Sequence, residues 1–338
     1  MRIGIIDLGT NSVRFDIYEI HSLSGGFERL HREKIMVRLG QDIFSKGRLN
    51  SQASQRTLKA FIQFKKVSKE FKTKKIIAFA TSALRESKNP EKLLIPIEKK
   101  TGIKVQVISG KREAELIARG ILKNIKMPSG AFGLIDIGGG STEISLYKNK
   151  KLIFSESFPV GTARLQQLHL TKIPPTPRSI QNARAFIRKT LEEGFKNNDF
   201  KIKKIPKTIR FIGSSGTIKA LDLLLKKRYN TKVITQKHVS KLTHELEPMS
   251  YKQLLKFPHM DEKKIDQIVS GSIILEEFLN AFNGTKMSFS EYCLRDGIFD
   301  EQVNSLKTTR LKNLLGTNLN YFFRFTKKIT KTLLQPAK

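Results

Sequence analysis

The chain has 338 residues, enough for roughly two domains. Lys and Arg number 63 against 30 Asp and Glu, a formal charge of +33. This favours a polyanionic partner (nucleic acid, polyphosphate, a nucleotide or an anionic surface), unless the excess is only a Lys-rich solvated face. A single cysteine, Cys293, excludes a disulfide framework and a Cys-based zinc site. No apolar run approaches the ~20 residues that span a bilayer, and Asp7 comes too early for a signal-peptide core, so a cytoplasmic protein is expected.

Residues 3–8, 12–20 and 27–38 read as three consecutive strands, with turns at Asn11-Ser12 and Gly25-Gly26. Helical periodicity follows at 51–71, then an apolar strand from Lys75 to Ala80. A helix-like stretch runs from Asn89-Pro90 to Lys100, where Pro96 is expected to kink or break it. A strand at 103–108 leads to Ser109-Gly110 and a helix ending near Asn124, with Ala114, Leu116, Ile117, Gly120 and Ile121 facing inward. Strands at 131–138, 142–148 and 151–158 then repeat the opening. Pro174-Pro175-Thr176-Pro177 precedes a helix at about 178–196, and a strand at 207–212 leads into a helix through Leu225. The clearest later helix is 261–282. Residues 311–334 form a basic amphipathic stretch, expected to dock its apolar face on the body, with a membrane-surface role as the alternative.

The repeat is specific. Gly4-Ile5-Ile6-Asp7-Leu8-Gly9-Thr10-Asn11-Ser12 returns as Gly133-Leu134-Ile135-Asp136-Ile137-Gly138-Gly139-Gly140-Ser141. Each copy is an apolar run, an aspartate, a turn of small residues and an alternating strand that reaches Tyr18 or Tyr147. One such turn is an ordinary hairpin signal. Two imply related halves whose loop N–H groups and carboxylates grip a phosphate chain and its metal across a cleft. Asp7 and Asp136 suit Mg²⁺, which takes one or two protein oxygens beside waters and phosphates.

Gly138, Gly139 and Gly140 permit the close backbone approach a phosphate needs. Glu143 follows, within reach of the same metal or of an attacking water. Ser214-Ser215-Gly216-Thr217 joins a strand to a helix and forms an anion site at the positive end of the helix dipole. Glu113 sits in the first turns of its helix, as a general base or as a carboxylate matched to the dipole. Arg85, after Thr81-Ser82-Ala83-Leu84, is either a phosphate clamp or a solvated cation.

Taken in order, DLGTNSVR at 7–14, TSALR at 81–85, ISGKREAELI at 108–117, GLIDIGGGSTEISL at 133–146, PVGTARL at 159–165, GSSGTIKAL at 213–221 and LRDG at 294–297 resemble the exopolyphosphatase / guanosine pentaphosphate phosphohydrolase family. The resemblance covers roughly 1–305. It implies an α/β protein of two actin-like (ribonuclease H-like) domains, 1–124 and 125–305, with an interdomain phosphate and metal cleft. Residues 306–338 remain as a basic C-terminal helix. It implies Glu113 and Glu143 as catalytic carboxylates, with Asp7, Asp136 and Glu143 near Mg²⁺. Phosphate contacts are implied for Thr10, Asn11, Ser12, Arg85, Gly138, Gly139, Gly140, Ser141, Ser214, Ser215, Gly216 and Thr217.

The implied reaction is release of terminal phosphate from polyphosphate or guanosine pentaphosphate by an activated water. A homodimer is compatible with this, and nucleic acid is not required. The alternatives are an actin-like-fold kinase or ATPase and a non-catalytic polyanion-binding protein. One departure stands out. The family usually has an acidic residue directly before the catalytic glutamate; here it is Arg112, expected to favour the ionised form of Glu113. The chain also stops short of the C-terminal helical domains of longer members.

Overall fold

The computed structural model describes residues 1–21 and 26–306; the expected basic helix at 311–334 lies outside the described residues. The first half contains β1 (Arg2–Leu8), β2 (Ser12–Ile20), β3 (Phe27–Met36), α1 (Ile43–Lys46), α2 (Ser51–Glu70), β4 (Lys75–Ala80), α3 (Ser82–Glu86), α4 (Glu91–Thr101), β5 (Val105–Val107) and α5 (Gly110–Asn124). The second half opens with β6 (Ala131–Ile137), β7 (Thr142–Lys148), β8 (Lys151–Phe158), α6 (Thr162–Leu168), α7 (Pro177–Asn197), β9 (Ile209–Ser214) and α8 (Ser215–Arg228). It continues through β10 (Ile234–Thr235), α9 (Gln236–Leu246), α10 (Tyr251–Lys256), α11 (Ile265–Ala281) and β11 (Gly284–Phe289). A further helix, α12, covers 294–306.

The repeat in sequence is a repeat in topology. The first sheet has the order β3-β2-β1-β4-β5 and the second β8-β7-β6-β9-β11-β10. In each, an antiparallel hairpin meander is joined by its first strand to a parallel strand. The second sheet adds β10, antiparallel at its edge.

Alternation along β1 and β2 assigns their two faces to two cores. Ile6, Leu8, Val13, Phe15 and Ile17 pack with Phe61 and Phe64 of α2 and Leu93 and Ile97 of α4. The opposite face presents Ile3, Ile5 and Tyr18 to a central layer made by α5 and α12. Phe132, Leu134 and Tyr147 of the second sheet meet that layer from the other side. The remaining core of the second half gathers Ile135, Ile137 and Ile144 with Ile187 of α7 and Ile273 and Phe278 of α11. Helices α5 and α12 thus lie between the two sheets. They cross with their backbones in contact: a Cβ on Gly120 would lie 2.3 Å from the Cys293 carbonyl oxygen, and one on Gly297 would lie 1.8 Å from that of Leu116.

Several expectations are corrected. Pro96 neither breaks nor divides its helix, because α4 runs through it from Glu91 to Thr101. Leu93 and Ile97, buried on one face, hold both turns against α2, and the missing N–H removes only one helical bond. The region 261–282 is a short 3-10 turn, Glu262–Lys264, followed by α11. Helices α1, α3 and α6 and strand β10 are too short for a periodic signal, and β11, as long as β4, gives none because its burial does not alternate.

Candidate active site

The two loops are built alike. Gly9 N–H donates to the Ser12 carbonyl (3.1 Å), and Gly138 N–H to that of Ser141 (2.9 Å). Each is then clasped by the segment after its meander: Gly40 N–H donates to Thr10 O (2.8 Å), and Ala163 N–H to Gly139 O (2.8 Å). The aspartates are the penultimate residues of β1 and β6.

The loops also touch one another. A Cβ on Gly139 would lie 2.7 Å from Thr10 Cβ and from Asn11 Nδ2, and one on Gly140 2.2 Å from Ser82 Oγ. The glycines are therefore required for the two halves to close loop on loop. Asn11 Nδ2 donates across the join to Gln267 Oε1 of α11 (3.0 Å), and Gln167 Nε2 to the Gly40 carbonyl (2.8 Å). Arg164 spans the same join: its Nε donates to the Gly140 carbonyl (2.8 Å), its Nη2 bonds Glu86, and its guanidinium covers the Phe44 ring at 4.3 Å.

Between the loops lies a cavity of about 90 Å³. Asp7, Thr10, Asn11, Ser12, Glu113, Asp136, Gly138, Gly139, Gly140, Ser141, Ser215, Gly216 and Thr217 all line it. That is room for several ordered waters or for a phosphoryl group, since one water needs only about 10–15 Å³ on this measure. Ser215 enters α8 at φ 92°, left-handed strain of about 1–3 kcal/mol for a non-glycine residue, of the kind that collects at functional sites.

Three residues expected at the site stand behind its wall. Ser214 is fully buried and donates to Asp136 Oδ2. Glu143 is buried, with its Oε1 accepting from Ser157 Oγ (2.7 Å). Arg85 supports Glu113: its Nη1 donates to Glu113 Oε2 (3.0 Å) and to the Ile108 carbonyl (3.0 Å). Arg85 faces a second cavity of about 190 Å³, shared with Lys111, Ser141 and Ser157.

Ser109 caps α5, its Oγ accepting from Arg112 N–H (3.2 Å), and this aims Glu113 into the cleft. Burial pushes the Glu113 carboxyl up to about 7; Arg85 opposes the rise, and Asp136 and Asp7 add to it. Glu143 is raised as well, by burial first and then by Glu113 and Asp136. The expectation that Arg112 keeps Glu113 ionised is overturned. Arg112 turns away to Glu301 and to Glu115 (3.4 Å), and the cation on Glu113 is Arg85.

Sequence reasoning missed the cationic side of the cleft. Arg14 and Lys264 line it together. Gly216 brings them close, since a Cβ there would lie 3.3 Å from Lys264 Nζ and 3.6 Å from Arg14 Nη2. Lys34 is the cross-strand partner of Arg14. Burial, Lys34 and Arg14 push Lys264 down to about 8. A lysine in a basic chain carries no signal of its own; only the fold shows that this one is nearly buried.

Among the described residues, no group of three or more His, Cys, Asp or Glu side chains is arranged to hold a metal. In particular, Glu143 is not brought to the cavity surface with Asp7 and Asp136. The donor chemistry still fits Mg²⁺. Asp7 and Asp136 are hard oxygen donors that line the same cavity, and Mg²⁺ uses only one or two carboxylates when phosphates and waters complete its shell.

Two α/β halves of matching strand order, with both copies of the aspartate loop lining one cavity, define a protein of the actin-like class. The Ppx/GppA phosphatase family matches residues 17–306, and the chain belongs to that family of enzymes. Exopolyphosphatase 2 of Mycobacterium tuberculosis is 28% identical over 315 residues, covering 88% of this chain and 97% of that one. A guanosine-5'-triphosphate,3'-diphosphate pyrophosphatase of Pseudoalteromonas translucida is 26% identical, covering 91% of this chain and 60% of that one. The crystal structure of an exopolyphosphatase from Cytophaga hutchinsonii is similar at a TM-score of 0.78 and 27% identity, covering 90% and 98% of the two chains.

Proposed function

We propose that the protein is a Mg²⁺-dependent exophosphatase that releases terminal orthophosphate from inorganic polyphosphate, with guanosine pentaphosphate as the second substrate. The observation that carries this is the meeting of both repeated loops with Glu113 in one small cavity. The family and its named relatives supply the substrate class.

The terminal phosphoryl group fills the cavity between the loops 9–12 and 138–141, whose N–H groups stabilise its charge. Glu113, held by Arg85 and sharing its proton balance with Glu143, takes a proton from water. The water oxygen forms the new bond to phosphorus. The bridging P–O bond breaks in line, and its electron pair stays on the shortened chain. Arg14, Lys264 and the start of α8 hold that departing phosphate. Asp7 and Asp136 would hold Mg²⁺, which neutralises charge on the phosphates when bound. The reading takes 1–124 and 125–305 as two lobes that close on the substrate.

Phosphate release is the test. Long polyphosphate, tripolyphosphate, guanosine pentaphosphate and ATP are compared with and without Mg²⁺. Release from the first three that depends on the metal is expected. Turnover of ATP alone favours an ATPase, and binding without turnover of any of them favours a polyanion-binding protein.

A further inference from the structure

Arg295, the second residue of α12, is 6% exposed and reaches the back of the first loop. Its Nε donates to Asp16 Oδ2 (3.0 Å), and its Nη1 lies 3.6 Å from Asp7 Oδ2. That Nη1 is buried with no hydrogen-bond partner. Asp16 is fully buried and also accepts from Arg32 Nε (3.2 Å), Arg32 Nη2 (2.8 Å) and Tyr18 Oη (3.2 Å). Asp7, Arg14 and Asp16 share one face of the β1–β2 ladder, because Asp7 pairs with Arg14 and Ile5 with Asp16. Asp7 in turn accepts from Arg14 Nη1 at 3.3 Å.

Stability does not account for this chain of charges. Burying ions costs several kcal/mol each, and apolar residues of like volume serve a core as well or better. The neighbouring positions on that face, Ile3 and Ile5, are apolar and fully packed. What the charges add is direction: a planar guanidinium anchored on Asp16 addresses Asp7 at a fixed angle, which a lysine's point charge cannot do.

We infer that Arg295 is a positioning residue: braced on Asp16, it sets the Asp7 carboxylate and, through Asp7, the Arg14 guanidinium that holds the departing phosphate. The helix that packs against α5 thereby tunes the cationic side of the cleft. The inference rests on the proposed function of that cleft.

Tripolyphosphate binding, measured by calorimetry in the non-turnover Glu113→Gln background, tests it. Arg295→Lys should weaken binding by roughly tenfold, and should add less than about twofold when Arg14→Ala is already present. With Glu113 intact, the same change should appear mainly in KM and little in kcat. Asp16→Asn keeps Arg295 and removes its brace, so it should act in the same direction, and it carries the test if Arg295→Lys does not fold. A lowered melting temperature with unchanged affinity in both variants overturns the inference, as does full additivity with Arg14→Ala. If tripolyphosphate neither binds nor is hydrolysed by the unmodified protein, the functional reading falls and takes this inference with it.

Discussion

Glu143 stands in the second loop where Arg14 stands in the first: each is the cross-strand partner of its loop aspartate, Asp136 or Asp7. The two copies share backbone and hydrogen bonds but have diverged in charge at this position. Arg14 gathers with Lys34 and Lys264 on one side of the cleft. Glu143 lies close to Glu113, behind the cavity wall. The proposed reaction would use this contrast, a carboxylate serving as base and cations holding the leaving phosphate.

Glu113→Gln should lower kcat by roughly 10²-fold or more, because general-base catalysis contributes on that scale. Tripolyphosphate affinity should stay within about threefold, since the substitution keeps volume and hydrogen bonding. Steady-state phosphate release and calorimetry together check this. Near-normal kcat would move the base to Glu143.

The same substitution should change stability with pH in a defined direction. Glu113 is raised from 4.5 to about 7 in the fold, so the native state binds the proton more tightly than the unfolded chain. That advantage is fully present below about pH 4.5 and is lost as pH rises through about 7. Glu113→Gln should therefore match the unmodified protein near pH 4.5 and exceed it above pH 7, by on the order of 3 kcal/mol at most. Melting curves across this range decide it; a constant offset at all pH values would contradict the assigned shift.

Lys264 should report substrate by taking up a proton. It is pushed down to about 8 by burial and by Lys34 and Arg14, so part of its population is neutral in mild alkali. A phosphate anion beside it favours the charged form. Tripolyphosphate binding at about pH 8.5 should then consume up to one proton, read by calorimetry in buffers of different ionisation heat. Lys264→Ala should remove that uptake and weaken binding by about tenfold. Equal uptake in the variant would place the titrating group elsewhere.

Gly120→Ala should destabilise by about 1–3 kcal/mol through overpacking. Its Cβ would lie 2.3 Å from the Cys293 carbonyl oxygen and 2.7 Å from Gly297 N, both backbone atoms that cannot swing aside. Urea unfolding measures the loss; an unchanged midpoint would mean that α5 and α12 do not cross this closely in solution.

The sequence by itself determined the duplicated loops, the order of the opening strands, the inward face of α5 and the place of Glu113 at its start. All of these are local patterns, a period of two or of 3.6 residues broken by turn chemistry, and a chain displays them before it folds. Tertiary structure alone decided which charges meet. Arg112 is adjacent to Glu113 in sequence yet pairs with Glu301, while Arg85 supplies the cation on Glu113 from 28 residues away. Arg295 reaches Asp16 across 279 residues, and Asn11 reaches Gln267 across 256. Lys264 looks like any other lysine until α8 and β2 close around it. The physical reason is that periodicity reports which side of an element is apolar, whereas a buried charge takes its partner from whatever the packing of distant elements brings within about 4 Å.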